Sequence, residues 1–175
     1  TELDWHESTI LEQQGSRAET TTSMSSLKVT AVPMQHWSSR RGWDRDKTLW
    51  CGYVMEDSGR KMLFAGDTGW FDGLHEIGRT HGPLDVALLP IGAYTPRDFM
   101  SPQHIDPAEA VRMMQAVRAK KALPIHWGTF QLTSEDYLEP RELLYKQVEG
   151  GNDATMTLKQ DDFYAWDIGE TVLIE

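Results

Sequence analysis

The feature that most constrains this chain is residues 61–69, with the sequence Lys-Met-Leu-Phe-Ala-Gly-Asp-Thr-Gly. A short apolar run ends at a glycine, and Asp67 then stands between two glycines. This pattern predicts a buried strand over residues 61–65 that ends in a sharp turn. A carboxylate at the end of a buried strand is costly unless a positive group compensates for it. We therefore predict that Asp67 is a bridging metal ligand and that His36 and His126 lie close to it.

The rest of the chain alternates strand-like and helix-like patterns, which predicts an α/β fold. The predicted strands cover residues 28–33, 48–55, 61–65, 84–91 and 121–125, with short candidates at 1–5, 154–158 and 163–166. The predicted helices cover residues 71–80, a segment capped by Asp106 with Pro107 and Glu109, and a segment that starts at Pro140. Residues 1–27 are expected to hold a short strand followed by a mobile polar segment, and residues 28–175 to form one domain.

The composition excludes several classes of protein. The formal net charge is -10, so the basic surface that nucleic-acid binding needs is absent. Cys51 is the only cysteine, so no disulfide can form within the chain. This fits either a reducing compartment, in line with the expected cytoplasmic location, or a fold stabilised by a cofactor. The sequence contains no run of about 18 apolar residues, so it predicts no membrane-spanning helix. The sequence also lacks a Gly-x-Ser-x-Gly elbow and a glycine-rich phosphate loop, which excludes serine-hydrolase and nucleotide-binding interpretations.

Four polar side chains follow the carboxyl ends of predicted strands: His36, Asp67, Tyr94 and His126. Ligands of α/β folds collect at that edge of the sheet. Neutral imidazole and carboxylate groups are zinc ligands, and zinc lowers the pKa of water enough to make a nucleophile near neutral pH. The arrangement therefore predicts a metal site for hydrolysis.

Each of these residues also has a simpler interpretation. Asp67 could be a turn aspartate that accepts hydrogen bonds from its own backbone, and His36 could be a surface histidine. His126 could be a strand-end histidine with satisfied hydrogen bonds. His104, just before the helix that Asp106 caps, is either packed on the cap or in contact with substrate near the metals. The combination of residues favours the metal site.

Several motifs, in order, resemble the second half of the metallo-β-lactamase fold, and more closely the family of N-acylphosphatidylethanolamine-hydrolysing phospholipase D. The motifs that carry the resemblance are Pro-Met-Gln-His-Trp at 33–37, Phe-Ala-Gly-Asp-Thr-Gly at 64–69, Leu-Pro-Ile-Gly-Ala-Tyr at 89–94, Gln-His-Ile-Asp-Pro-Ala-Glu-Ala at 103–110 and Ile-His-Trp-Gly-Thr-Phe at 125–130. The resemblance implies an αββα sandwich with two zinc ions and release of phosphatidic acid and an N-acylethanolamine.

The resemblance also implies roles for individual residues. His36 is expected to bind one zinc ion, His126 the second, and Asp67 to bridge the two and take part in catalysis. His104 is expected to contact the phosphodiester as a catalytic and substrate-binding residue. Two further residues are expected to bind substrate, namely Gln103 and Tyr94.

The sequence departs from this family at one motif. The His-x-His-x-Asp-His motif, which should precede the others and supply four ligands, is absent from these residues. Residues 28–175 are therefore expected to be the carboxyl half of a hydrolase domain, with one sheet face uncovered. The expected partners are a missing amino-half chain or a second copy, and a phospholipid-like phosphodiester, with peripheral membrane contact left open.

Weak zinc binding is expected from the chain alone, because three ligands cannot close a two-metal site. Two alternatives stay open. The chain could be a non-catalytic remnant that acts as a binding module, or a related metallo-hydrolase that acts on a lactone or another ester.

Overall fold

A computed structural model describes residues 2–12, 26–150, 158–167, 169–171 and 173–174. The strands are β1 (Ser8–Glu12), β2 (Ser26–Val32), β3 (Gly52–Asp57), β4 (Arg60–Phe64), β5 (Leu84–Pro90) and β6 (Ala119–Ile125). The helices are α1 (Gly73–His81), α2 (Arg97–Met100), α3 (Pro107–Ala116) and α4 (Glu139–Glu149), followed by a short 3-10 helix (Gln160–Asp162). The predicted α/β class is confirmed.

All six strands form one sheet in the order of the sequence. The pairings from β1 to β4 are antiparallel, whereas β5 runs parallel to both β4 and β6. A tight turn joins β3 to β4, where Ser58 and Gly59 both have positive φ angles, of 51° and 79°. Because β2 and β4 are both antiparallel to β3, the carboxyl ends of β2, β4, β5 and β6 lie along the same edge of the sheet.

The two faces of the sheet differ in their environment. Val54, Leu63 and Ala87 are buried and belong to a core cluster that also contains residues of α1, α3 and α4. Their neighbours along the strands point the other way, and Tyr53 and Phe64, which pair in register, are 39% and 38% exposed. Within the described residues, helices therefore cover one face of the sheet and leave the other face open.

Most of the predicted elements form close to their predicted bounds. The cap of α3 is confirmed, because the Asp106 carboxylate accepts a hydrogen bond from the Glu109 amide at 2.8 Å and the Glu109 carboxylate accepts one from the Asp106 amide. The strands predicted over 61–65, 84–91 and 121–125 form β4, β5 and β6. The helices predicted over 71–80 and after Pro140 form α1 and α4.

The prediction of a strand at residues 1–5 is wrong. Residues 2–5 are not in a strand, and the first strand is β1, which lies in the segment that we expected to be polar and mobile. Pairing with β2 explains the difference, because the ladder and a 2.8 Å hydrogen bond between the hydroxyls of Ser8 and Thr30 stabilise a segment that is mostly exposed. Residues 13–25 of the same segment lie outside the described residues.

Two other strand predictions need correction. The strand predicted over 48–55 starts only at Gly52, because the Trp50 indole donates a hydrogen bond to the Met34 carbonyl ahead of the ladder. Of the strand predicted over 163–166, only a single bridge from Phe163 to Ala122 forms. The candidate over 154–158 lies almost wholly outside the described residues.

Within the described part of the chain, none of the helices has both the length and the apolar character that crossing a membrane would require.

Candidate metal centre

Four polar side chains meet at the edge where β2, β4 and β6 end. His36 follows β2, Asp67 follows β4, His126 follows β6, and His104 lies in the loop before α3. One ligand atom from each of His36, Asp67 and His104 lies within 4.8 Å of the others. Nδ1 of His126 is 3.6 Å from Oδ1 of Asp67. The structure therefore brings together all the residues predicted to bind metal, and it adds His104 to them.

The imidazole rings of this cluster pack directly on one another. The ring of His104 stacks on that of His126, with centroids 5.4 Å apart, and meets the ring of His36 edge-on at 5.2 Å. The three rings therefore form one packed cluster, whose ring nitrogens are potential ligands of a metal ion.

Three imidazole nitrogens of the cluster are buried and have no hydrogen-bond partner among the described residues. They are Nε2 of His36, Nδ1 of His104 and Nε2 of His126. A buried polar atom without a partner costs free energy, so three in one place require an explanation. Metal ions bound within the cluster would accept these lone pairs, and nitrogen donors with a carboxylate suit zinc. The residues present therefore fit the metal that the resemblance implies.

A backbone contact sets which nitrogen of His36 is free. Nδ1 of His36 lies 3.0 Å from the Trp37 carbonyl oxygen, a group that can only accept a hydrogen bond. Nδ1 must therefore carry the proton, and Nε2 keeps its lone pair for a ligand. Metal-binding histidines commonly have their second nitrogen fixed in this way.

His104 is held in its neutral form. Burial lowers the pKa of His104 to about 4; the nearby Asp67 carboxylate opposes that shift, and the rings of His126 and His36 add to it. Near neutral pH the imidazole is therefore uncharged, with one nitrogen that donates a hydrogen bond and one that accepts.

The closest set of ligand atoms differs from the predicted one. We expected His36, Asp67 and His126 to bind metal and His104 to contact substrate, whereas the tight cluster contains His104. His126 offers its buried Nε2 and turns Nδ1 towards Asp67. The division of roles between His104 and His126 stays a prediction.

The backbone of His126 adopts a conformation that is unusual for a residue with a side chain. Its φ angle is 61°, in the left-handed region, which costs free energy unless the surroundings enforce it. Gly92, at the end of β5, lies against it so closely that a Cβ atom on residue 92 would overlap the His126 carbonyl oxygen. Because Gly92 has no side chain, the end of β5 can pack directly against the His126 backbone in this conformation.

The predicted substrate-binding residues differ in their availability. Oε1 of Gln103 accepts a hydrogen bond from the Trp37 indole at 2.7 Å, which places Gln103 beside the His36 loop. The buried Tyr94 hydroxyl donates to Oε1 of Glu139 at 2.7 Å. Burial, together with this carboxylate, raises the pKa of Tyr94. Its proton is thus engaged with α4, and both substrate roles stay predictions.

Sequence reasoning missed Arg97, which holds the His104 loop in place. Its guanidinium donates hydrogen bonds to the His104 carbonyl at 2.8 Å and to Oε2 of Glu109 at 2.7 Å, and Nε lies 3.5 Å from Oδ2 of Asp106. The available signal was a lone cation shortly before two acidic cap residues. Only the tertiary structure shows that α2 turns this cation back towards His104.

Sequence reasoning also missed Glu135, which supports the loop after β5. Its buried carboxylate accepts hydrogen bonds from the amides of Ala93, at 2.7 Å, and Thr95, at 3.1 Å. Burial works to raise the pKa of Glu135, but the hydrogen bonds it accepts outweigh this effect and lower the pKa. The loop that carries Tyr94 is therefore fixed by a charged group 40 residues further along the chain.

The chain is similar to known proteins over most of its length. The family model described as "Beta-lactamase superfamily domain" matches residues 1–127. The N-acyl-phosphatidylethanolamine-hydrolyzing phospholipase D 1 of Caenorhabditis elegans is 38% identical over 97% of this chain and 45% of its own length. The mitochondrial N-acyl-phosphatidylethanolamine-hydrolyzing phospholipase D of Saccharomyces cerevisiae is 38% identical over 82% of this chain and 30% of its own length.

A solved structure gives the same result for the fold. Igni18, a metallo hydrolase from the archaeon Ignicoccus hospitalis, aligns with a TM-score of 0.58 and 26% identity, over 83% of this chain and 52% of that chain. The predicted resemblance to the metallo-β-lactamase fold is confirmed. This chain spans less than half the length of the two curated relatives described above.

Proposed function

Because the chain belongs to the β-lactamase superfamily, we propose that it forms the metal-binding part of a zinc-dependent phosphodiester hydrolase. The substrate is a phospholipid of the N-acylphosphatidylethanolamine type. The observation that carries this proposal is the group of three buried, unpartnered imidazole nitrogens beside Asp67. Zinc bound there would supply an electrophile that activates water and stabilises negative charge on the phosphodiester.

The protein residues contribute binding and orientation. His36 presents Nε2 because the Trp37 carbonyl engages Nδ1. Asp67 supplies a negatively charged oxygen ligand and lies close to both His36 and His126. His104 is neutral and buried beside them, so its one ring N–H can donate a hydrogen bond to a phosphodiester oxygen. Each group lies in a loop that directly follows a strand or precedes the capped helix, and the contacts of these loops limit its movement.

The surroundings of the cluster support a lipid substrate. The loop that carries His126 continues to Phe130 and Leu132, which line a cleft together with His126 and are largely exposed. Such side chains suit an acyl chain that leaves a membrane. The formal net charge of -10 disfavours an anionic substrate elsewhere on the surface, so the metal is the natural attachment point for phosphate.

A complete two-metal site needs further ligands, which we propose come from a companion chain segment or a second copy. The curated relatives are more than twice as long as the part that this chain matches. The open face of the sheet provides an apolar surface for such a partner, centred on Tyr53 and Phe64.

Zinc titration tests the proposal. We expect the chain alone to bind zinc weakly, and Asp67→Asn to lower the affinity by about 100-fold, because a neutral amide is a poor ligand. The control is His75→Gln, an exposed histidine on α1 outside the cluster, which should bind as the unmodified chain does. Equal affinity in Asp67→Asn, or two tightly held zinc ions per chain, would contradict the proposal.

Activity is tested in the longer protein that contains this chain. We expect Asp67→Asn to abolish the release of phosphatidic acid from N-acylphosphatidylethanolamine, as measured by mass spectrometry, while the fold stays intact by circular dichroism. Retained release would rule out the assigned role of Asp67.

A further inference from the structure

Thr68 is a fully buried polar residue directly after Asp67, with 0% of its surface exposed. Its hydroxyl accepts a hydrogen bond from the Gln35 amide at 2.9 Å and donates one to the Gly69 carbonyl at 2.8 Å. Gln35 is the residue before His36. The side chain of Thr68 therefore ties the loop after β4 to the loop after β2.

The main chain of Thr68 makes a second connection. Its carbonyl oxygen accepts a hydrogen bond from the amide of Ile105 at 2.8 Å. Ile105 is itself fully buried and directly follows His104. One residue thus bonds to the immediate neighbours of both His36 and His104.

Further contacts close the same assembly. The Gly69 amide donates to the Gln35 carbonyl, and Nε2 of Gln35 donates to the Pro102 carbonyl, each at 2.8 Å. A Cβ atom on residue 69 would overlap that same Pro102 oxygen, so the close approach depends on glycine. The three loops are therefore in direct contact behind the cluster.

We propose that Thr68 is a positioning residue that sets the separation of His36, Asp67 and His104. This inference rests on the proposed function, because it assigns Thr68 a role in the same metal site. The carboxylate of Asp67 is about one-third exposed and accepts no hydrogen bond from the residues that the structure describes, so its position depends largely on its backbone. Metal affinity requires ligands held within roughly 0.5 Å of their required positions.

The hydroxyl is the part of Thr68 that a substitution can remove without changing its shape. Valine has the same branched outline, so Thr68→Val keeps the packing but leaves the Gln35 amide without its partner. Serine keeps the hydroxyl and loses only a methyl group. Comparing the two variants separates hydrogen bonding from packing.

The matched control is Thr30→Val. Thr30 is also buried, and its hydroxyl also makes a 2.8 Å hydrogen bond, to Ser8. That bond joins β1 to β2 and touches none of the loops of the cluster. Thr30→Val therefore carries the cost of losing a buried hydroxyl without a change at the site.

The experiment measures zinc affinity by chelator competition and hydrogen exchange of the Gln35 amide. We expect Thr68→Val to lower zinc affinity by about tenfold and to speed exchange at Gln35, whereas Thr68→Ser restores both. Thr30→Val should shift the unfolding midpoint but leave zinc affinity unchanged. Unchanged zinc affinity in Thr68→Val, or an equal loss in Thr30→Val, would overturn the inference.

Asp67→Asn, measured alongside, separates the two proposals. If it lowers zinc affinity and Thr68→Val does not, only the positioning role fails. If neither variant lowers it, the metal site itself fails. Should Thr68→Val not fold, Thr68→Ala takes its place, since it also removes the hydroxyl that accepts the Gln35 amide; a loss of about tenfold in zinc affinity is expected, and unchanged affinity overturns the inference.

Discussion

Single residues hold the candidate centre together mainly through backbone contacts. Arg97 engages the carbonyl of His104, and Thr68 engages the amides of the residues next to His36 and His104. Gly92 has no side chain, so the backbone of His126 can pack directly against it. These contacts position the imidazoles through backbone atoms, so the buried ring nitrogens stay free for a ligand.

Gly92 gives the sharpest prediction at this scale. We expect Gly92→Ala to displace His126, because the added methyl group would overlap its carbonyl oxygen, and to destabilise the fold by about 1–3 kcal/mol through overpacking. Zinc affinity should fall with it. Zinc titration and urea unfolding are the measurements.

The control for this variant is Gly42→Ala. A Cβ atom on residue 42 meets nothing within 4 Å, so neither stability nor zinc affinity should change appreciably. If Gly92→Ala bound zinc as tightly as Gly42→Ala, the support of His126 by β5 would be refuted.

Among the elements, the parallel strands depend on a charged residue at their amino-terminal end. Asp85 in β5 accepts a hydrogen bond from the Lys61 amide of β4 at 2.8 Å and one from the Lys120 ammonium group of β6 at 2.7 Å. The Lys120 bond, followed by the Lys61 amide, lowers the pKa of Asp85. One carboxylate therefore links three neighbouring strands.

The lowered pKa predicts a pH dependence of stability. A carboxyl group with a depressed pKa in the folded state stabilises the fold above its unfolded pKa of about 3.9, and this contribution is lost as pH falls through the folded pKa. We expect Asp85→Asn to cost about 0.5–1 kcal/mol at pH 7, since the pair is partly exposed, and the difference to vanish at strongly acidic pH. Urea unfolding across this range measures it.

Lys120→Met provides a comparison from the other side of the bond. It should remove part of the same pH-dependent stability, because Asp85 loses its nearest cation. A constant difference between Asp85→Asn and the unmodified chain from pH 7 to pH 2 would argue against this interpretation.

At the scale of the whole molecule, the residues that the structure describes form a sheet that is covered on one face only. Helices pack on one face, while the other face presents rows of apolar residues that pair across strands, such as Met55 with Met62 and Tyr53 with Phe64. An apolar surface of this kind marks an interaction site. The chain also lines up with only 45% of its Caenorhabditis elegans relative.

We therefore predict that this face mediates association. Phe64→Thr should weaken the binding of a companion segment or second copy by about tenfold, because it removes apolar area from the centre of the face. Phe99→Thr, an equally apolar change at an exposed site on α2, should have no effect. Sedimentation velocity distinguishes the two, and a stable monomer of the unmodified chain at all concentrations would contradict the prediction.

The sequence predicted most elements because their signals are local. Short apolar runs indicated β4 to β6, and the cap formed by Asp106 and Glu109 indicated α3, since these patterns involve residues close together in the sequence. It missed β1, whose residues are mostly exposed and form a strand only because β2 pairs with them.

The sequence by itself determined most of the element types and the candidate ligands of the centre, because the histidines, the aspartate and their places after strand ends can be identified from residue type and local pattern. Only the tertiary structure decided their distances: it put ligand atoms of His36, Asp67 and His104 within 4.8 Å of one another, with His126 beside Asp67. It also decided that Thr68 and Arg97 hold the loops. Such contacts join residues 7 to 37 positions apart, and no local pattern encodes distances between segments that meet only on folding.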